Sequence, residues 1–319
     1  MQGTVRTAAF WGLALFHSYI SAEPFAYVTN QSSNSVSVID TATNQVVATI
    51  PAGQKPAGVA AIPHGRRVYV SNPEGKNISV IDTESRTVIQ TVAVGESPLG
   101  IAAHPDDTRV YVADWYLNKV FVLDATTLKV AAEIPVGKSP SGVALDAEGK
   151  RIYVANRDDH SLTVLDATNN TQLATLKVGK APFGVTVSPA GDKVFVANVR
   201  SRDVSIIDTE ALKVIGTAAV GTAPYAVAFD PARDHLFVTN QQDDTVSVVD
   251  IQTVKAIATI PVGGYPEGIA INPTNGHIYV ANWFSNELSI IDAQTLKVVG
   301  SIPTQGDGSR AFGQFISQR

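Results

Sequence analysis

The chain has no cysteine and only one methionine in 319 residues. The missing thiols exclude disulfides, thiolate metal sites, covalent c-type haem attachment and cysteine nucleophiles. Long helix-forming runs are scarce, while Val, Ile, Thr, Gly and Pro are plentiful, which favours an all-β chain. Charge is sparse as well. Charged residues make up 17% and the formal net charge is −5, so no basic stripe announces a duplex nucleic-acid binder and no acidic run a tail. The one notable apolar run opens the chain, in MQGTVRTAAFWGLALFHSYISAEP. Arg6 supplies a positive start, Ala8 to Phe16 a short apolar stretch, and Ser21-Ala22 a small-residue cleavage site, so residues 1–22 are expected to be a cleavable signal peptide. The stretch is too short to span a bilayer, and nothing after it is long enough either. A mature domain over 23–319, in the periplasm or outside the cell, is the corresponding expectation.

What is present is a repeat. The tetrads YVTN, YVSN, YVAD, YVAN, FVAN, FVTN and YVAN begin at Tyr27, Tyr69, Tyr111, Tyr153, Phe195, Phe237 and Tyr279, each 42 residues after the last. Asp40, Asp82, Asp124, Asp166, Asp208, Asp250 and Asp292 end alternating runs such as VSVID in the same frame. The prolines of a GxxPxG pattern, Pro56, Pro98, Pro140, Pro182, Pro224 and Pro266, form a third series in that frame. Each unit holds four short apolar runs separated by turn residues, which is the signature of a propeller blade.

With its PxG(V/I)A and S(V/I)xxID companions, the tetrad resembles the YVTN-repeat β-propeller family, including YncE-like exported propellers, over residues 25 to 319. The reading is an all-β, seven-bladed propeller of four-stranded antiparallel blades. Tyr or Phe and the following Val should fill opposite faces of the second strand, one at each interface between blades. The closing Asn and the third-strand Asp should bond backbone groups at strand-to-turn corners. The Gly after each proline should sit where blades crowd the axis. The mature chain starts on a second strand, FAYVTN, and GDGSRAFGQFISQR near the C-terminus resembles a first strand with one extra residue. The closing blade is therefore expected to be shared by the two ends, which removes open edges.

Strand direction assigns each loop to a face. One face is monotonous, with turns such as HPDDTR and DAEGKR, and reads as structural; His64, His104, His235 and His277 fall there. The other face varies, which is where a rigid scaffold usually carries binding. It shows Trp115 and Tyr116 in the third blade, Trp283 and Phe284 in the seventh, and Arg157, Arg200 and Arg202 between them. Phe183, Tyr225 and Glu267 follow prolines and should stand nearest the channel, with Arg310 at the closure. Exposed Trp, Tyr and Arg are hot-spot residue types, so all of these except Glu267 are candidate ligand-binding residues.

Catalytic signatures are weak. His160 in RDDHS invites a metal or acid–base reading, but the nearest further ligands, Asp243 and Asp244, lie two blades away, so it reads as a solvated loop residue. No GxSxG elbow, P-loop or dinucleotide pattern is placed where it would work. Neither metal nor cofactor is expected. The reading is an exported, monomeric binding propeller. YncE-like relatives imply single-stranded DNA as one ligand, alongside peptide, glycan or a periplasmic protein. The alternative is a propeller enzyme of lactonase or lyase type, or a redox accessory protein, with Glu267 or the Asp158–His160 group at the channel mouth.

Overall fold

In the computed structural model, residues 24–62 and 65–317 are described; the expected signal segment and His64 lie outside them. The described residues form 28 strands and no helix, and none of them makes a helix long and apolar enough to cross a membrane. The strands make a seven-bladed propeller. Blade 4 is representative: Pro140–Leu145, Arg151–Asn156, Ser161–Asp166 and Thr171–Lys177 run antiparallel, from the axis outward.

Two register shifts recur. One lies between the third and outer strands at the same repeat position of every blade, for example Val164/Leu165 and Val248/Val249. Such bulges sharpen local twist. The other follows the proline of the inner strand, as at Pro98/Ile101 and Pro182/Val185. It frees the next residues from the ladder and turns Leu99, Phe183 and Tyr225 toward the axis, where they are buried together.

The tetrad positions behave as the alternation requires. Tyr69 of blade 2 packs with Val110 and Val112 of blade 3, Tyr153 of blade 4 with Val194 and Val196 of blade 5, and Phe237 of blade 6 with Ile278 and Val280 of blade 7. All seven rings are fully buried. At the axis the glycines leave no room for a side chain. A Cβ on Gly100 would lie 1.8 Å from the Ser141 carbonyl oxygen, and one on Gly142 2.3 Å from that of Phe183. Opposite the varied face, Arg67, Arg109 and Arg151 each donate to a carbonyl of the next blade, on Ala125, Ala167 and Thr209.

The two ends share blade 1, with a difference from a regular strand. Phe25–Asn30 carries Ser35–Asp40 and Gln45–Pro51 on one side. On the other, Tyr27 N–H donates to Phe315 O at 2.8 Å, Arg310 N–H to Thr29 O at 2.7 Å and Ser317 N–H to Phe25 O at 2.9 Å. Between these points Phe312–Gln314 leaves the blade and pairs in parallel with Gly58–Ala61 of blade 2. The excursion absorbs the extra residue, with Ala311 and Gly313 at φ +95° and +94°. Consequently the interfaces on both sides of blade 1 merge into one core that holds Tyr27, Tyr279, Phe315 and Ile316.

Candidate ligand-binding site

Side chains of the varied loops first hold the ring. The fourth residue after each tetrad takes a left-handed conformation, with φ between 52° and 57°. In five blades its side chain then accepts an N–H from the turn that leads into the next blade. Asn34 receives Lys55 at 2.9 Å, Asn118 receives Ser139 at 2.9 Å and Asp244 receives Tyr265 at 2.7 Å. His160 occupies this same position: its Nδ1 lies 3.2 Å from the Ala181 N–H, which it accepts in the tautomer that leaves Nδ1 bare, and 3.0 Å from Arg157 O, to which it donates in the other. It is therefore a half-buried latch between blades 4 and 5, not the solvated loop residue its sequence context suggests. Asp158 and Asp159 are engaged too, by the Ser139 hydroxyl and the Lys138 N–H.

The closing Asn of the tetrad also departs from expectation. Its amide donates mainly to side chains of the third strand, as Asn72 to Ser79 at 3.0 Å and Asn156 to Thr163 at 2.8 Å. The buried hydroxyl offered by the neighbouring strand outcompetes the backbone; only Asn240 also accepts a backbone N–H, from Gly221. The third-strand Asp does cap its turn, accepting N–H groups two and three residues on, as Asp124 does from Thr126 and Thr127. Those bonds hold the carboxyls of Asp82, Asp124, Asp250 and Asp292 below the ordinary carboxylate range.

Above the axis, on the varied face, lies an open basin of about 470 Å³ that spans blades 3 to 7. Its floor is aromatic. Phe183 and Tyr225 stack at 3.9 Å between ring centroids, and Phe312 from the closing segment meets Phe183 edge-on at 5.4 Å. These rings pack with Ala57 and Leu99 into one buried cluster at this end of the axis. One wall is Trp115 and Tyr116, with the Arg157 guanidinium 5.5 Å above the Trp115 ring. The facing wall is Gln241, Tyr265 and Glu267.

An ion pair is buried where that wall meets the floor. Arg310 Nε meets Glu267 Oε2, and both atoms are shut off from solvent. Gln241 donates to Glu267 Oε1 at 2.7 Å, and Arg310 Nη2 donates to the Tyr225 hydroxyl. Burial pushes the Glu267 carboxyl above its ordinary value, although Arg310 and Gln241 pull it back. Burial likewise raises the Tyr225 hydroxyl, which stays protonated. Burial works against the charge of Arg310, but Glu267 and Tyr225 outweigh it and hold the guanidinium above its ordinary value. Buried pairs of this kind add little net stability, yet breaking one by removing a single partner is costly.

The structure thus separates the sequence candidates. Trp115, Tyr116, Arg157, Phe183, Tyr225 and Arg310 line the basin. Trp283 and Phe284 do not. They form a neighbouring aromatic patch against the outer side of Tyr265, with centroids 5.9 and 4.7 Å from its ring. Trp283 Nε1 donates to Gln31 of blade 1 at 3.2 Å, whereas Phe284 is 65% exposed. Arg200 and Arg202 are exposed beyond the rim. Gln241 and Tyr265 were not singled out from sequence. Both sit in legible columns: Gln241 is the residue after its tetrad, as Trp115 and Arg157 are, and Tyr265 precedes its proline. No cluster of three or more metal-ligating side chains occurs among the described residues.

Comparison with known proteins agrees with this architecture. A family model described as YncE-like β-propeller matches residues 12–108, 101–191 and 187–309. The search of curated proteins gave no match. Among solved structures, hydrazine synthase of Kuenenia stuttgartiensis is similar at 20% identity and a TM-score of 0.74, over 89% of this chain and 99% of that one. A functionally unknown protein from Desulfotomaculum acetoxidans gives 18% identity and a TM-score of 0.77, over 91% and 99%. The dihydro-haem d1 dehydrogenase NirN, solved in complex with DHE, gives 19% and 0.67, over 88% of this chain and 64% of that one. At these identities the likeness is one of fold.

Proposed function

We propose, starting from the fact that the chain belongs to the YncE-like β-propeller family, that it is an exported, monomeric binding protein rather than an enzyme. Its ligand sits in the basin above the axis. The observation that carries this reading is the convergence of Trp115, Arg157, Tyr265 and the buried Arg310–Glu267 pair, from blades 3, 4 and 7 and the closing segment, onto one concavity. An aromatic wall, a guanidinium and a few fixed polar groups around a concave floor are what small recognition sites use. An enzyme would need an acid or base free to exchange protons. Glu267, the one carboxylate of the basin, already has both oxygens engaged by Gln241 and Arg310. The Asp158–His160 group serves as loop latches.

The test is capture of defined ligands by immobilised protein: single-stranded DNA, peptides and glycans, each with wild type and with two single variants. Trp115→Ser should weaken capture more than tenfold, because a hot-spot aromatic is worth roughly 2 kcal/mol or more. Trp283→Ser, outside the basin, should cost much less. Equal losses from both variants would move the site from the basin to the whole rim. Capture that neither variant weakens would reject the reading.

A further inference from the structure

The charges that line the basin do not balance. Arg157, Arg310 and Glu267 are its charged lining residues, two cations against one carboxylate. Glu267 is spent on neighbours, with Oε1 accepting from Gln241 and Oε2 facing Arg310. Arg310 is not fully spent. Its Nε and Nη2 are directed at Glu267 and Tyr225, and its Nη1 has no partner among the described residues. Arg157 is anchored by Asp158 at 3.2 Å, a rim carboxylate that does not line the basin, and lies over the Trp115 ring. Each guanidinium is thus ion-paired on one side, and the basin offers their remaining donors beside flat aromatic surfaces. A volume of about 470 Å³ is in the range of small-ligand sites, roughly 300–1,000 Å³.

We propose that the basin receives a small planar aromatic ligand bearing one anionic oxygen group, a carboxylate or a phosphate, with the ring against Trp115 and the anion between Arg157 and Arg310. This rests on the binding reading above and gives it a ligand class. The wall fixes the orientation. The planar guanidinium of Arg157 covers one part of the indole, so the ligand ring takes the part that faces the cavity. The oxygen group then meets charged donors on both sides, where such bonds are about twice as strong as neutral ones. Both arginines are held in place beforehand, Arg310 by Glu267 and Tyr225 and Arg157 by Asp158, which limits the ordering cost of binding.

Matched probe pairs test this by calorimetry. 2-Naphthoate against 2-naphthamide differs only in the anion, and 5′-AMP against adenosine does the same for a phosphate. Wild type should bind at least one anion about tenfold or more tightly than its neutral twin. Preference in the first pair alone assigns a carboxylate, in the second alone a phosphate. Arg157→Gln should reduce the preference. The paired change Arg310→Gln with Glu267→Gln, which strands no buried charge, should bring it within about twofold while melting stays cooperative. Neutral twins that bind as tightly, with both weakened by Trp115→Ser, would overturn the anion inference and leave the basin reading standing. No binding of any probe at millimolar concentration would overturn the inference too; the basin reading falls only if Trp115→Ser also leaves the capture of defined ligands unchanged.

Discussion

Asp114 and Phe121, seven residues apart in blade 3, depart from the repeat together. Elsewhere the tetrad ends in Asn and the partner seven residues on carries a hydroxyl that accepts from its amide, as Ser37, Ser79, Thr163, Ser205, Ser247 and Ser289 do. Asp114 has no such proton to give, and Phe121 has no acceptor to offer. The carboxylate turns instead to backbone, accepting from Glu96, Ser97, Tyr116 and Leu117 at 2.6 to 3.0 Å. It also reshapes the turn before blade 3. The left-handed residue there is Gly95, with φ +62°, where other blades use the residue before proline, as at Ala181 and Tyr265.

Asp114→Asn should therefore destabilise the domain by about 2–3 kcal/mol, since buried N–H groups lose acceptors and the new amide faces an aromatic ring. Phe121→Ser empties part of the buried core and is costly alone, but it should cost less beside Asp114→Asn, where the pair used elsewhere is restored. Denaturant melts of the two single variants and the double variant give the coupling directly. Strict additivity would show that the pair is coincidental.

At the axis, Gly100→Ala should cost several times more than Ala226→Gly. The first puts a Cβ within 1.8 Å of a neighbouring backbone carbonyl, so two blades must part. Overpacking of this kind typically costs about 1–3 kcal/mol or more, whereas removing one methyl at Ala226 should cost under about 1 kcal/mol. Thermal melts of the two variants decide it.

Deleting residues 309–319 should lower the single melting transition of the entire domain or prevent folding. It strips Phe315, Ile316 and Ala311 from the core that fuses both sides of blade 1, and it exposes the edge of Phe25–Asn30. Phe315→Ala is the milder form, with an expected loss of about 3–5 kcal/mol. An unchanged melt in either variant would contradict closure by this segment.

Stability should pass through a maximum on the acid side of neutrality. Glu267 holds its proton more tightly folded than unfolded, so its contribution improves as pH falls from neutrality toward the ordinary carboxylate range of about 4.3. Asp82, Asp124, Asp250 and Asp292 have the opposite sign. Their stabilisation is complete above the ordinary aspartate range of about 3.9 and is lost as pH falls through their lowered values. Melting temperature against pH should rise and then fall. Joint replacement of Glu267 and Arg310 by Gln should flatten the rise and leave the acid fall.

The fold was legible because its periodicity is carried by side chains with one structural job each. Consecutive Tyr or Phe and Val on opposite strand faces, an axial Gly and a corner Asp recur without an insertion, and geometry allows few other arrangements of four strands per unit. The closing segment was legible in outline, but not its parallel detour at Phe312–Gln314, because no repeat copy shows what one extra residue does. The site was half legible. Residue type singled out Trp115 and Arg157 but equally Trp283, Arg200 and Arg202, since sequence marks a loop as varied without saying which of its side chains turns inward. His160 misled for the same reason: one position supplies a latch from Asn, Asp or His, and only the last looks like chemistry.

Arg310 and Phe312 come from a segment that leaves the ribosome after every other strand of the seven blades has been made. Until that segment docks, Glu267 lacks its cation and the rings of Phe183 and Tyr225 lack their third partner. A nascent chain can thus stack most of its sheets and still have no seat for a ligand. Competence to bind arrives with the final act of folding, so ligand capture reports completion of the ring, and anything that traps the chain with its seam open leaves it both fragile and blind.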